Sequence, residues 1–148
     1  MRKAKVSRAA YKTFDGERWN AYNELLAMSN IDELSPVQRM AYLAYWYCSE
    51  VENGGHDQYF GNQSHFNQEE VIAALREIGA EAQADILAQA CVIERSITAG
   101  DYVETADEDS FPLRRLDLAF ANCPKPIIPD LLATYLDNHE AEFIEWVP

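Results

Sequence analysis

The feature that most constrains the fold is a long apolar segment, LSPVQRMAYLAYWYCSEVENGG, at residues 34–55. Ser35, followed by a proline and then by Gln38, is the capping box that begins an α-helix. Gly54 can take the left-handed conformation in which many helices end. Between these signals the segment is apolar almost all round, which is typical of a helix buried on every side. The segment therefore predicts a central helix around which the rest of the chain packs.

The remainder of the chain also has helical periodicity. In FNQEEVIAALREIG, Asn67 is a predicted N-cap, Glu70 lies at the third helical position and Gly79 ends the helix. Further helices are predicted at residues 17–28, 81–99, 113–121 and 130–138, with a helical tail to residue 146. No segment of useful length alternates with the period of two that a strand requires. The sequence predicts an all-α fold, a single compact domain of about six or seven helices.

Charge divides the chain into two unequal parts. The 148 residues contain 12 basic and 25 acidic side chains, a net charge of −13. The first eighteen residues hold six basic and two acidic side chains, so residues 19–148 carry a net charge of −17. We therefore predict a basic, flexible N-terminal segment at 1–18 and an acidic helical domain at 19–148. Such a domain repels nucleic acid and anionic membranes and attracts basic partners.

Two observations predict a cytoplasmic protein. The basic N-terminus is not followed by the apolar stretch of a secretory signal. The longest apolar run, AYLAYWYC, is far shorter than the ~20 residues of a membrane span.

The segment VENGGHDQYFGNQS, residues 51–64, contains the most site-like residues of the chain. His56 and Asp57 could form an acid–base pair, and together with His65 they could bind a metal. No nucleophile motif and no paired metal-ligand spacing accompanies them, so we assign no catalytic residue, metal or cofactor. We interpret the segment as a structural corner, in which two glycines turn the chain, two aromatic side chains enter the core and amide side chains bond free backbone groups. The corner residues are Asn53, Gly54, Gly55, Asp57, Gln58, Tyr59, Phe60 and Asn62.

Acidic side chains are the candidate partner-binding residues. Spread evenly over the surface, 25 carboxylates would give about one third as many negative charges per unit area as the phosphates of duplex DNA. An imitation of DNA therefore requires the acids to be gathered on one face or across a dimer. The predicted acidic face consists of Asp101, Glu104, Asp107, Glu108, Asp109, Asp137, Glu140, Glu142 and Glu145.

Three segments, EVENGGHDQYFGNQS, ALREIGAEAQADIL and LRRLDLAFANC…PDLLATYL, resemble the DNA-mimic protein family of small acidic bacterial proteins. The resemblance covers roughly residues 36–145 and implies an all-helical fold and a homodimer. In the member that named the family, an acidic surface imitates duplex DNA and occupies the DNA-binding face of a transcription regulator.

We therefore expect a non-enzymatic binding protein that docks on a basic DNA- or RNA-binding protein, without itself binding nucleic acid or membrane. One alternative is an immunity protein that neutralises a toxin. Another is a small-ligand or enzyme site at the corner, formed by His56, Asp57 and Gln58.

Overall fold

The computed structural model describes residues 2–103 and 112–148, which form one compact, mostly helical domain. The prediction of an all-α single domain is confirmed. In chain order the elements are β1 (Ala4–Ser7), α1 (Arg8–Thr13), α2 (Gly16–Met28), α3 (Pro36–Gln63), α4 (Gln68–Glu77), α5 (Glu81–Ala99), α6 (Arg114–Ala121), α7 (Ile128–Asn138), α8 (Glu140–Phe143) and β2 (Ile144–Val147). The described residues thus hold eight α-helices rather than six or seven. Helix α1, which the sequence does not predict, is six residues long, and α8, which lies within the predicted helical tail, has only four; both are too short to show a helical period. The helical tail predicted to residue 146 is wrong from Ile144 onward, where the chain forms β2.

Helix α3 is the centre of the fold, as its sequence predicts. Its capping box is formed, since Ser35 Oγ accepts from the Gln38 backbone N–H at 3.2 Å and Gln38 Oε1 accepts from the Ser35 N–H at 3.0 Å. Helices α2, α4, α6, α7 and α8 all pack against it. Leu43 and Tyr47 of α3 are 1% and 0% exposed, so this helix supplies much of the core.

The basic N-terminus differs from the flexible segment that the sequence predicts. Strand β1 pairs in parallel with β2, and Val6, opposite Trp146, is buried. The buried Gln38 amide donates to the backbone carbonyls of Arg2, at 2.6 Å, and Glu142, at 2.8 Å, which ties both ends of the chain to α3. Residues 2–18 therefore pack against the domain. Four-residue strands are too short for their alternation to be recognised in the sequence.

Within the described parts of the chain, no helix combines the length and apolar character that crossing a membrane requires.

A kinked helix and its carboxylates as the candidate functional site

The predicted corner is a kink within α3 rather than its end. Gly54 has φ −153° and ψ 21°, and Gly55 has φ 72° and ψ −173°, after which the helix resumes and runs to Gln63. Of the two glycines at the kink, only Gly55 has a positive φ, in a region that residues with a Cβ rarely adopt. A Cβ at Gly55 would also lie 2.5 Å from Asp117 Oδ2 of α6. Glycine is therefore required at position 55 both by the backbone and by the close approach of α6.

The amide side chains of the kink bond a buried carboxylate, and not the backbone groups expected from the sequence. Gln58 Nε2 and Asn62 Nδ2 each donate to Glu50 Oε2 at 2.9 Å, and Gln63 Nε2 donates to Glu50 Oε1 at 3.3 Å. Asn53 Nδ2 in turn donates to Gln58 Oε1 at 3.1 Å. Burial raises the pKa of Glu50, but the three hydrogen bonds outweigh it and lower the pKa overall. The amides thus join the two halves of α3 through one charged side chain.

Two aromatic side chains after the kink enter the core, as predicted. Tyr59 is 0% and Phe60 is 8% exposed. The structural interpretation of these two residues is confirmed.

His56 lies at the middle of a buried hydrogen-bond chain that the sequence did not reveal. Its ring Nδ1 is 2.6 Å and its backbone N is 2.8 Å from Asp117 Oδ1, while Tyr47 Oη is 2.8 Å from its Nε2. The Asp117 carboxylate can only accept, so Nδ1–H donates to it and Nε2 accepts from the Tyr47 hydroxyl. Burial lowers the pKa of His56 and outweighs the opposing effects of Asp117 and then Asp57. The ring is therefore neutral at neutral pH, and it holds Asp117 in place.

The other sequence candidates for chemistry lie apart from this chain. Asp57 and His65 are exposed, and Asp57 forms no hydrogen bond with His56. Over residues 2–103 and 112–148, no group of three or more His, Cys, Asp or Glu side chains is arranged to hold a metal ion. Asp117, which replaces Asp57 as the partner of His56, is 61 residues away in the sequence, and no local spacing signals such a contact.

A pocket of about 330 Å³ opens beside Asp117, between α3, α5, α6 and the segment before α7. Its apolar walls include Val51, Phe120 and Ile128, and its polar lining includes Glu52, Gln83 and Asp117. The Asp117 side chain is 32% exposed, while His56 behind it is 0% exposed. Only the Asp117 end of the hydrogen-bond chain can therefore reach a bound molecule.

The acidic side chains of the predicted face differ in exposure and in their pairing with basic side chains. Glu104, Asp107, Glu108 and Asp109 lie outside the described residues, and Asp101 is exposed. Arg18 forms ion pairs with both Asp137 and Glu140, and Trp146 Nε1 donates to Glu140 at 2.8 Å. Glu142 is half-buried, and the exposed Glu145 lies opposite Lys5 in the sheet. The C-terminal acids are thus partly neutralised by the basic N-terminus, and a shared face of the nine residues stays a prediction.

A second group of acids gathers at the kink, and we call Glu52, Asp57, Glu94 and Asp117 the kink carboxylates. Burial, followed by the charge of Asp57, raises the pKa of Glu94. Glu52 and Asp117 line the same pocket. Among the described residues, no Lys or Arg side chain pairs with any of the four. The kink carboxylates are therefore unneutralised negative charges drawn from α3, α5 and α6.

Five carboxylates elsewhere on the described parts of the domain are paired with arginine: Glu70, Glu81, Asp85, Asp137 and Glu140. Arg39 Nη2 is 2.9 Å from Glu70 Oε2, and Arg76 lies 2.5 Å from Glu81 and 2.9 Å from Asp85. At these five positions an arginine compensates the charge, as none of the described residues does at the kink carboxylates.

A family model described as DMP19-like protein matches residues 32–139. The match contains α3 to α7, and hence the kink and all four kink carboxylates, but not the terminal strands. No curated protein and no solved structure shows a significant match to the chain.

Proposed function

Because the chain belongs to the DMP19-like protein family, we propose that it is a non-enzymatic protein that docks its acidic surface on a basic nucleic-acid-binding protein, such as a transcription regulator, and blocks nucleic-acid binding by that partner. The observation that carries the proposal is the group of unpaired kink carboxylates on a chain of net charge −13. A carboxylate that is paired with an arginine has its field cancelled locally, whereas an unpaired one attracts a basic surface.

The kink explains how acids far apart in the sequence gather on one region. Glu52 and Asp57 flank the bend in α3, while Glu94 comes from α5 and Asp117 from α6. The exposed Asp101, which starts the acid-rich stretch of the sequence, directly follows Gly100 at the end of α5. Carboxylates spread evenly over the surface would have a lower charge density than the phosphates of DNA. A protein of this composition can therefore imitate DNA only where its carboxylates are gathered.

Electrostatic docking has a defined dependence on salt. Exposed charges are screened over about 8 Å at physiological ionic strength, so association with a basic partner weakens as salt increases. Duplex DNA competes for the same basic face of the partner and displaces the protein.

The experiment is a pull-down from the lysate of the host with the full chain as bait, at low salt, followed by elution with a salt gradient and then with duplex DNA. The proposal predicts one dominant nucleic-acid-binding protein that either salt or DNA releases. A captured protein whose retention does not depend on salt, or that binds DNA while it is still bound to this chain, would refute the proposal.

A further inference from the structure

We propose that the pocket beside the kink is an anchor site for an arginine side chain of the docked partner, with Asp117 as the residue that receives the guanidinium. The inference rests on the proposed function for the identity of the partner, but the site itself is argued from the pocket alone. The pocket is about 330 Å³, at the small end of the range of ligand pockets and large enough for one long side chain.

The carboxylate of Asp117 is held in place on one side and free on the other. Its Oδ1 accepts from the His56 ring and from the His56 backbone N–H, at 2.6 and 2.8 Å. Among the described residues no hydrogen bond to Oδ2 is formed. Two donors that fix one oxygen pre-organise the other, so that binding a cation costs little reordering of the side chain.

A second polar side chain of the pocket, Gln83, has an oxygen to which none of the described residues donates. Gln83 is 4% exposed, and its Nε2 is 3.5 Å from the Pro126 carbonyl, the limit of a hydrogen bond. Its Oε1 accepts no hydrogen bond from any residue in the described part of the chain. An acceptor at the pocket wall that no protein donor occupies is available to a ligand that carries N–H groups.

The remaining lining selects a guanidinium over other donors. Glu52 adds a second carboxylate, so the polar groups that face the pocket are predominantly acceptors and negatively charged. Arginine carries a permanent positive charge and five N–H donors, has no acceptor, and can pair with a carboxylate in a bidentate manner. The ring of Phe120 and the side chain of Val51 supply apolar surface for the flat guanidinium and its aliphatic stem.

The test is a titration of the full-length protein with the peptide amide Gly-Arg-Gly, followed by isothermal calorimetry and by the backbone amide signals of Gly55, His56 and Asp117. Gly-citrulline-Gly, which is nearly isosteric but uncharged, and Gly-Lys-Gly are the matched probes. The inference predicts that the arginine peptide binds on the order of ten-fold more tightly than either and shifts the signals of the kink. Equal affinity for the citrulline or the lysine peptide would overturn it.

The first variant is Asp117→Asn. Because Asp117 also supports the fold, its replacement can lower stability as well as binding, so the second variant is Glu52→Gln at the exposed rim of the pocket. Asp85→Asn and Glu81→Gln make the same changes of charge at carboxylates that Arg76 already pairs. We expect binding of the arginine peptide to weaken about ten-fold in Asp117→Asn and several-fold in Glu52→Gln, and to be unchanged in the two controls. If Glu52→Gln and Glu81→Gln lost the same affinity for the arginine peptide, the effect would be one of net charge alone, and the proposed arginine site would be refuted.

The two proposals fail separately. Arginine binding at the pocket without a basic partner in the pull-down would retain the site and refute the proposed function. A salt-sensitive, DNA-displaceable partner whose affinity is the same for wild type and Glu52→Gln, together with equal affinities for the three peptides, would retain the function and refute the arginine site.

Discussion

Replacement of Gly55 by alanine tests the geometry of the kink, because two independent costs meet at this position. A residue with a Cβ at φ 72° and ψ −173° costs about 1–3 kcal/mol in backbone strain. The new Cβ would lie 2.5 Å from Asp117 Oδ2, so the carboxylate must move and weaken its hydrogen bonds to His56. Loss of those bonds leaves partly buried donors unpaired, at about 2 kcal/mol. We expect Gly55→Ala to lower the free energy of unfolding by about 3–5 kcal/mol, a large part of the 5–15 kcal/mol that is usual for a domain.

The assay is urea denaturation at pH 7, with Gly61→Ala as the matched control. Gly61 lies in the helical part of α3 after the kink, is exposed, and no heavy atom lies within 4 Å of its added Cβ. Alanine there should stabilise the protein by about 0.5–1 kcal/mol. In an Asp117→Ala background the cost of Gly55→Ala should decrease to the backbone component of about 1–3 kcal/mol. Equal effects of the two glycine replacements, or an unchanged cost in the Asp117→Ala background, would refute the reasoning.

Three further predictions concern the side chains around the kink and the N-terminus. Tyr47→Phe removes the donor to His56 Nε2 and should cost about 1–2 kcal/mol in urea denaturation, and a cost near zero would contradict the hydrogen-bond chain. Because burial lowers the pKa of His56 in the folded protein, the unfolded chain binds a proton at this residue more readily. The free energy of unfolding should therefore decline as pH falls below about 6.5. The His56→Gln variant should lose this part of the decline, and a pH profile like that of wild type would contradict the assignment. Arg18→Met should cost about 1 kcal/mol or less, since its ion pairs with two C-terminal acids are partly exposed, and a loss of several kcal/mol would show a larger structural role.

The sequence predicts the helical fold well where local signals are strong. The capping box of α3 and the N-cap Asn67 of α4 are formed as predicted, and α5 has the predicted bounds, Glu81–Ala99. These features depend on residues within four positions of one another, so that propensity and capping determine them. The terminal sheet was missed because its pairing joins residues about 140 positions apart, through strands of four residues each.

The site was predicted only in part, for the same physical reason. The glycine pair indicates where the kink lies. The amide side chains that bond Glu50 come eight to thirteen residues after it in the sequence, and their contact with it depends on the angle of the bend. Asp117 reaches His56 only through the packing of α6 against α3. Composition shows the excess of acid, but it does not show that Arg18 pairs with Asp137 and Glu140 while no Lys or Arg of the described residues pairs with the kink carboxylates. Which carboxylates are paired depends on tertiary contacts, and these cannot be read from the local sequence.

The most direct test of the central claim compares two double variants that remove the same charge from different places. Asp57→Asn/Glu94→Gln neutralises two kink carboxylates, while Glu81→Gln/Asp85→Asn neutralises two carboxylates that Arg76 pairs. With the partner that DNA displaces, affinity should be measured as a function of salt concentration for wild type and both variants. The account predicts weaker binding and a shallower dependence on salt for the kink variant alone. Equal losses in the two variants, or no loss in either, would contradict docking through the kink carboxylates.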